Sequence, residues 1–229
     1  MTAPVVLVHG WGGSFATTWQ RSGFAELLRD AGREVIGVDL LGHGSAPKPH
    51  DPDDYADLGA RVLERMPEET QVDAVGFSLG AITLLGLATK HPDRFRKLVL
   101  AGIGRNVLEP DPDGAKRIVA AIEGTAPDDD THGMLFAQYA NQPGNDPVAL
   151  AAIMKRERRE PMDAGVLAAV TCPTLVVIGD KDFAGPGDPL ADALPNATLK
   201  VLRNVDHFAT PESFGFIDAA LEFIDAVPA

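Results

Sequence analysis

A chain of 229 residues with 45% hydrophobic content carries enough apolar material for one substantial core. Its formal net charge of -13 leaves it no electrostatic grip on a phosphate backbone or an anionic membrane surface, so neither nucleic acid nor membrane is expected as a partner. One cysteine, Cys172, cannot close an internal disulfide, which fits a reducing compartment. The sequence opens Met1-Thr2-Ala3-Pro4 and enters a strand-like run with no basic, cleavable leader. Its longest largely apolar stretch, residues 79–88, is far short of the roughly 20 that a membrane span needs. A soluble, cytoplasmic protein is expected.

In chain order, residues 4–8, 34–38, 72–77, 97–101, 173–178 and 197–202 are short runs apolar at nearly every position. Such runs mark strands buried on both faces, as in a parallel sheet covered by helices. Between them, residues 18–31, 54–66, 79–90, 189–194 and 211–226 carry helical patterns, the last with Thr210 as N-cap and Pro211 at the first helical position. The alternation predicts an α/β fold: a doubly wound, mainly parallel sheet of about six strands with helices on both faces.

The rhythm breaks once. Residues 104–169 contain no strand pattern but a Pro/Asp-rich entry at 109–114 and helix-like pieces at 115–123, 133–141 and 147–159, the last capped by Asp146. The densest basic run, residues 155–159, reads as a solvated helix face. Helices inserted after the fourth strand form a lid over the strand C-termini, where ligands of such sheets bind. The expected division is therefore a core of residues 1–103 and 170–229 with a helical cap at 104–169.

Gly76-Phe77-Ser78-Leu79-Gly80 matches G-x-S-x-G, with an apolar strand running in and an apolar helix running out. That setting forces a tight turn and stands the Ser78 hydroxyl above the sheet. A serine hydroxyl is a poor nucleophile and needs a base in reach. Of six histidines, only His207 follows the last strand, in a loop that opens at the same sheet edge as the serine turn. The base in turn needs an acid to hold its tautomer. Asp180 and Asp182, after the fifth strand, are both placed to supply it, whereas Asp206 points away from its neighbour in an extended loop. Two backbone N–H groups are needed for an oxyanion: Leu79, which follows the serine, gives one, and Trp11 in the glycine-rich turn 9–13 is chosen for the other.

These segments together resemble the α/β-hydrolase superfamily over nearly the whole chain: H-G-W-G-G at 9–13, D-L-L-G-H-G at 39–44, G-F-S-L-G at 76–80, G-D-K-D at 179–182 and D-H-F at 206–208. The resemblance implies Ser78, Asp182 and His207 as catalytic triad, since the family's acid stands fourth in the G-x-x-D segment. H-G-W-G with a leucine after the serine is similar to small carboxylesterases of the pimeloyl-ester type. The family's usual leading β-hairpin has no counterpart before residue 4, so about six parallel strands are expected, with a homodimer as a candidate assembly.

The expected activity is cleavage of small neutral carboxylic esters or thioesters through an acyl-enzyme on Ser78. A C–C bond hydrolase or lyase with the same triad, or a receptor-like protein with little turnover, are the alternatives. Gly10, Phe77 and Phe183, together with Leu135, Phe136 and Tyr139 of the cap, are expected to bind substrate; Val148, Ala151 and Met154 are further apolar cap positions. No cofactor and no metal are expected: Gly10-Trp11-Gly12 lacks the third glycine of a dinucleotide fingerprint, and no H-E-x-x-H spacing occurs.

Overall fold

The computed structural model describes residues 2–157 and 162–228. One sheet contains β1 (Val5–Val8), β2 (Val35–Val38), β3 (Val72–Phe77), β4 (Phe95–Ala101), β5 (Thr174–Gly179) and β6 (Ala197–Leu202). Their order is β2-β1-β3-β4-β5-β6 and every neighbouring pair is parallel. All six expected strands are present. β4 begins two residues early, because Phe95 pairs with Val72 ahead of a register shift, after which Asp73 faces Lys97. The charged Arg96 between them hid that start from the apolar pattern.

Alternate residues of each strand feed opposite layers. Val5, Leu7, Val75, Val99 and Val177 meet Trp19 and two helices, α1 (Phe24–Asp30) and α10 (Phe214–Phe223), on one face. On the other, Val6, Val8, Ala74, Leu98 and Val176 meet α2 (Leu58–Leu63), α3 (Leu79–Lys90) and α9 (Asp188–Ala193). Burial on both faces explains why β1 and β5 read as nearly continuous apolar runs and why Asp73 is the one charged residue in β3.

Only α3 keeps its expected bounds among the longer helices. The 18–31 pattern divides into a π-helical turn, Phe15–Gln20, and α1, because Gly23 takes a left-handed φ of 79° between them. The 54–66 pattern divides into a 3-10 turn, Pro52–Tyr55, and α2, whose cap is the Asp57 carboxylate accepting from Gly59 N. At the C-terminal end, Pro211 belongs to a 3-10 turn, Thr210–Glu212, and α10 starts after Ser213. Thr210 is not its N-cap: its hydroxyl donates backward to the Asp206 carbonyl, 2.9 Å.

Between β4 and β5 lie α4 (Arg105–Leu108), α5 (Gly114–Ile122), α6 (Thr131–Ala140), α7 (Pro147–Lys155) and α8 (Ala164–Leu167), with no strand among the described residues. Asp146 caps α7 through Val148 N and Ala149 N, and the end of the expected helix, residues 158–159, lies outside the described residues. Ile118, Phe136, Leu150 and Ile153 of this segment share the apolar cluster of the sheet face below them.

The opposite end of the sheet is held by charge. Asp73 is fully buried between Arg33 and Arg96, Arg96 Nε donating at 2.8 Å. Arg33 Nη1 also donates to the Ile224 carbonyl at 2.7 Å, and Lys97 Nζ to that of Phe223 at 2.7 Å. The strand starts are thereby tied to the end of α10.

Candidate active site

Strand order reverses at β1, since β2 lies on one side of it and β3 on the other. In such sheets the crevice at the strand C-termini beside that reversal is where ligands bind. The register aligns Val8 with Gly76, Phe77 with Ala101, and Gly179 with Leu202. Five connecting segments, after β1, β3, β4, β5 and β6, therefore emerge at one edge.

Ser78 sits in the turn between β3 and α3 with φ 51° and ψ -115°, a conformation that L-residues rarely adopt. Its N–H is held by the Ala101 carbonyl at 2.8 Å. The flanking glycines are needed for space: a Cβ on Gly76 would lie 2.7 Å from Ala81 N, and one on Gly80 would strike the carbonyl oxygens of Val8 and His9. The turn can thus close against β1 and leave the side chain standing at the edge.

That hydroxyl meets a buried imidazole. Ser78 Oγ donates to His207 Nε2 at 2.9 Å, and His207 Nδ1 donates to Asp182 Oδ1 and Oδ2 at 2.9 and 3.0 Å. A carboxylate only accepts, which places the proton on Nδ1 and leaves Nε2 to take one from serine. Asp182 Oδ1 also accepts from Ala184 N at 2.8 Å, fixing the carboxylate within its own turn. Of the other aspartates, Asp180 is exposed, and Asp206 accepts from Ala209 N at 2.9 Å, bracing the loop that carries His207.

The turn after β1 passes directly over Ser78. A Cβ on Gly10 would lie 2.8 Å from the Phe77 ring and 3.3 Å from Ser78 Cβ, so only glycine lets the backbone come this near. His9, fully buried, fixes the turn from below: Leu40 N donates to Nε2 at 3.1 Å, so Nδ1 carries the proton and donates to the Gly10 carbonyl at 2.7 Å. Burial lowers its pKa and keeps it neutral. Leu79, as the first residue of α3, has an N–H without an intrahelical acceptor.

The D-L-L-G-H-G segment supports this turn. Asp39 accepts from Phe15 N (2.7 Å), Ser45 N and Ser45 Oγ (both 2.8 Å). Burial pushes its carboxyl up, but these donors outweigh it and the net pKa is lowered. The His43 ring lies 4.9 Å from that of His9, and burial, helped by His9, lowers its pKa to about 3.

Rings from separate segments roof the imidazole. Phe183 lies 4.3 Å and Phe77 4.9 Å from the His207 ring. Phe136 of α6 meets Trp11 at 5.5 Å, Phe208 at 5.7 Å and Phe183 at 5.9 Å, while Tyr139 meets Phe208 at 5.5 Å. Of the expected substrate-binding residues, Gly10, Phe77, Phe136, Tyr139 and Phe183 are thus gathered here. Leu135 is not: it is 45% exposed, about 100° round the helix from Phe136. Val148 and Ala151 also lie elsewhere, lining a cavity of about 310 Å³ with His50 and Lys155. The sequence reading missed Phe208 and His132, whose ring lies 5.0 Å from Phe136 and 4.9 Å from Phe183. An i,i+4 spacing of His132 with Phe136 was the available signal for the latter.

Among the described residues no group of three or more His, Cys, Asp or Glu side chains is placed to hold a metal, and no helix is long and apolar enough to cross a membrane.

Residues 5–226 match the model of the alpha/beta hydrolase family. The chain is 30% identical over 230 residues to a pimeloyl-[acyl-carrier protein] methyl ester esterase of Neisseria meningitidis, covering 89% of this chain and 70% of that protein. It is 38% identical over 105 residues to a 2-hydroxymuconate semialdehyde hydrolase of a Pseudomonas species, covering 43% of this chain and 36% of that one. A solved 2-hydroxy-6-oxo-6-phenylhexa-2,4-dienoate hydrolase of a Rhodococcus species superposes with a TM-score of 0.70 at 21% identity, over 98% of this chain and 90% of that one. With a family match over almost its entire length and a hydrogen-bonded Ser-His-Asp set at the sheet edge, this chain belongs to the alpha/beta hydrolase family.

Proposed function

We propose that the protein cleaves small, neutral carboxylic esters or thioesters through an acyl-enzyme on Ser78. The observation that carries this is the unbroken path from Ser78 Oγ through His207 to Asp182, each link at 2.9 Å. Ser78 Oγ attacks the ester carbonyl carbon as its proton moves to Nε2. Asp182 stabilises the imidazolium that results. The N–H groups of Leu79 and Trp11 receive the negative oxygen. The tetrahedral adduct collapses, Nε2–H protonates the departing alcohol or thiol, and a water activated by the same nitrogen releases the acid. Helices α5 to α7 act as the lid over this chemistry. The ring cluster and the protein's net charge of -13 favour uncharged, modest-sized acyl groups of about two to eight carbons.

Treatment with a fluorophosphonate followed by peptide mass mapping tests the reading. A single adduct on Ser78, with hydrolysis of p-nitrophenyl esters abolished in Ser78→Ala, is the expected result; an adduct elsewhere, or a Ser78→Ala variant near wild-type rate, overturns it. A second reading, hydrolysis of a C–C bond next to a ketone, is favoured by the likeness to 2-hydroxymuconate semialdehyde hydrolase. Turnover of a 2-hydroxy-6-oxo-dienoate faster than of any simple ester would establish it instead.

A further inference from the structure

We propose that His132 is a specificity-determining residue, whose imidazole hydrogen-bonds a neutral polar atom of the substrate beneath the inserted helices. The inference rests on the ester-hydrolase reading of the Ser78 site.

His132 stands in the first turn of α6, after the Asp130 cap. Its ring is edge-on to Phe183, and Phe183 packs on the imidazole of His207, so a single ring separates the two histidines. It is half-buried, and neither of its nitrogens has a hydrogen-bond partner among the described residues. The rings it touches, Phe136 and Phe183, are hydrocarbon, so such a group is costly to desolvate unless the occupant of the site pairs with it. Trp11, the indole of the same cluster, already donates to the Leu150 carbonyl. Burial, with the nearby charge of Arg117, lowers the His132 pKa, so at neutral pH the ring is uncharged, with one donor and one acceptor to offer. An uncharged imidazole suits an ether, ketone, hydroxyl or second ester oxygen better than a carboxylate. The chain's field disfavours the carboxylate in any case.

The consequence is a polar requirement at one position of the substrate. A site built to hydrogen-bond an oxygen discriminates against the analogue that lacks it far more than an apolar pocket discriminates against an extra methylene.

An oxygen scan tests this. In p-nitrophenyl hexanoate, and in hexyl acetate for the alcohol arm, each methylene not bonded to the ester group is replaced in turn by an ether oxygen. Each kcat/KM is divided by that of the parent. The expected result is one position at which oxygen is preferred about tenfold or more over its neighbours. That ratio should collapse to the neighbours' value in His132→Phe, which keeps the ring contacts, and be largely kept in His132→Gln, which keeps a donor and an acceptor. Because the readout is a ratio within one variant, a general loss of rate cancels. Fluorophosphonate labelling of Ser78 accompanies every variant. A flat scan, or a preference that survives in His132→Phe, while Ser78 labels normally, overturns the role of His132 alone. If the wild-type protein shows no turnover and no labelling, the hydrolase reading is overturned and this inference with it; labelling without turnover of any scan member overturns this inference alone.

Discussion

Trp11 and Leu150 are joined across the gap between the turn after β1 and the inserted helices: the indole Nε1–H donates to the Leu150 carbonyl at 3.2 Å. Asn145 makes a parallel link, its amide donating to the Gly12 carbonyl at 2.8 Å and to that of Tyr139 at 3.1 Å. The turn proposed to receive the oxyanion is thus held from above by the segment that roofs it. Trp11→Phe keeps the backbone N–H and most of the packing but cuts this tie. Its kcat/KM is expected to fall by about tenfold, mostly in kcat, since small misplacements of an oxyanion donor are costly. Stability should drop by only about 1 kcal/mol. Esterase kinetics and urea unfolding on the same preparation check both numbers.

Asp182→Asn is expected to lose activity by orders of magnitude, ~10⁴ in serine-protease precedent, because an amide can present its NH₂ group to Nδ1 and favour the wrong tautomer. Asp180→Asn, at an exposed position, should stay within about twofold of wild type, as surface changes without partners do. Asp206→Asn keeps an oxygen for Ala209 N and should cost no more than a few-fold. The three kcat values, measured side by side, decide the assignment.

Ser78 carries φ 51° without being glycine, a strain of about 1–3 kcal/mol that is maintained for the sake of the site. Ser78→Ala and Ser78→Gly both lose the bond to His207, but only glycine relieves the backbone. Ser78→Gly should therefore be more stable than Ser78→Ala by roughly 1 kcal/mol, even after its larger unfolded-state entropy is counted. Urea midpoints of the two inactive variants measure the difference directly.

His43 gives the fold a pH dependence of definite sign. Burial pushes its pKa in the folded protein down to about 3, below the ordinary imidazole value of about 6.5, so on acidification the unfolded chain takes up the proton first. Stability is fully present above the unfolded value, falls as pH drops from about 6.5 toward 3 and levels off below that. The slope is about 1.4 kcal/mol per pH unit for one such group. His9, also lowered by burial, adds to the slope in the same direction. Urea unfolding from pH 5 to 7.5 should show the slope in the wild type and a clearly reduced one in His43→Asn.

The strands and the members of the hydrogen-bonded Ser78–His207–Asp182 set were legible because their signals are local or sit at strand ends. Residues 72–77 are apolar at every position but Asp73 since both faces are covered, and Ser78 is framed by glycines that no other residue can replace. Choosing Asp182 over Asp180 needed the family pattern: both follow β5, and only the folded turn shows Ala184 N and His207 Nδ1 converging on one carboxylate. Helix ends were less legible. Nothing in a periodic count reveals that Gly23 adopts a left-handed φ, or that Thr210 bonds backward rather than capping α10. The roof was least legible of all, because contacts such as Phe136 with Phe208 join segments 72 residues apart, and the outward face of α6 also carries large apolar side chains, Met134 and Leu135, about half exposed.

The buried carboxylate of Asp73 has a consequence in time as well as in energy. Its network ties residues 33, 73 and 96 to the carbonyl of Ile224 and the carboxylate of Asp225, with sequence separations of up to 191. While the chain is being synthesised, the guanidinium groups of Arg33 and Arg96 and the Asp73 carboxylate emerge long before the segment that completes their coordination. Until residues 224 and 225 follow, Arg33 and Arg96 lack the partners those residues supply, and cooperative locking of this end of the sheet waits for α10. Bringing together groups so far apart in sequence is slow, since a long loop must be closed before any contact rewards it. Refolding should accordingly be limited by docking of α10 onto the sheet, and the interval before it is when the molecule is most open to proteases and to other unfinished chains.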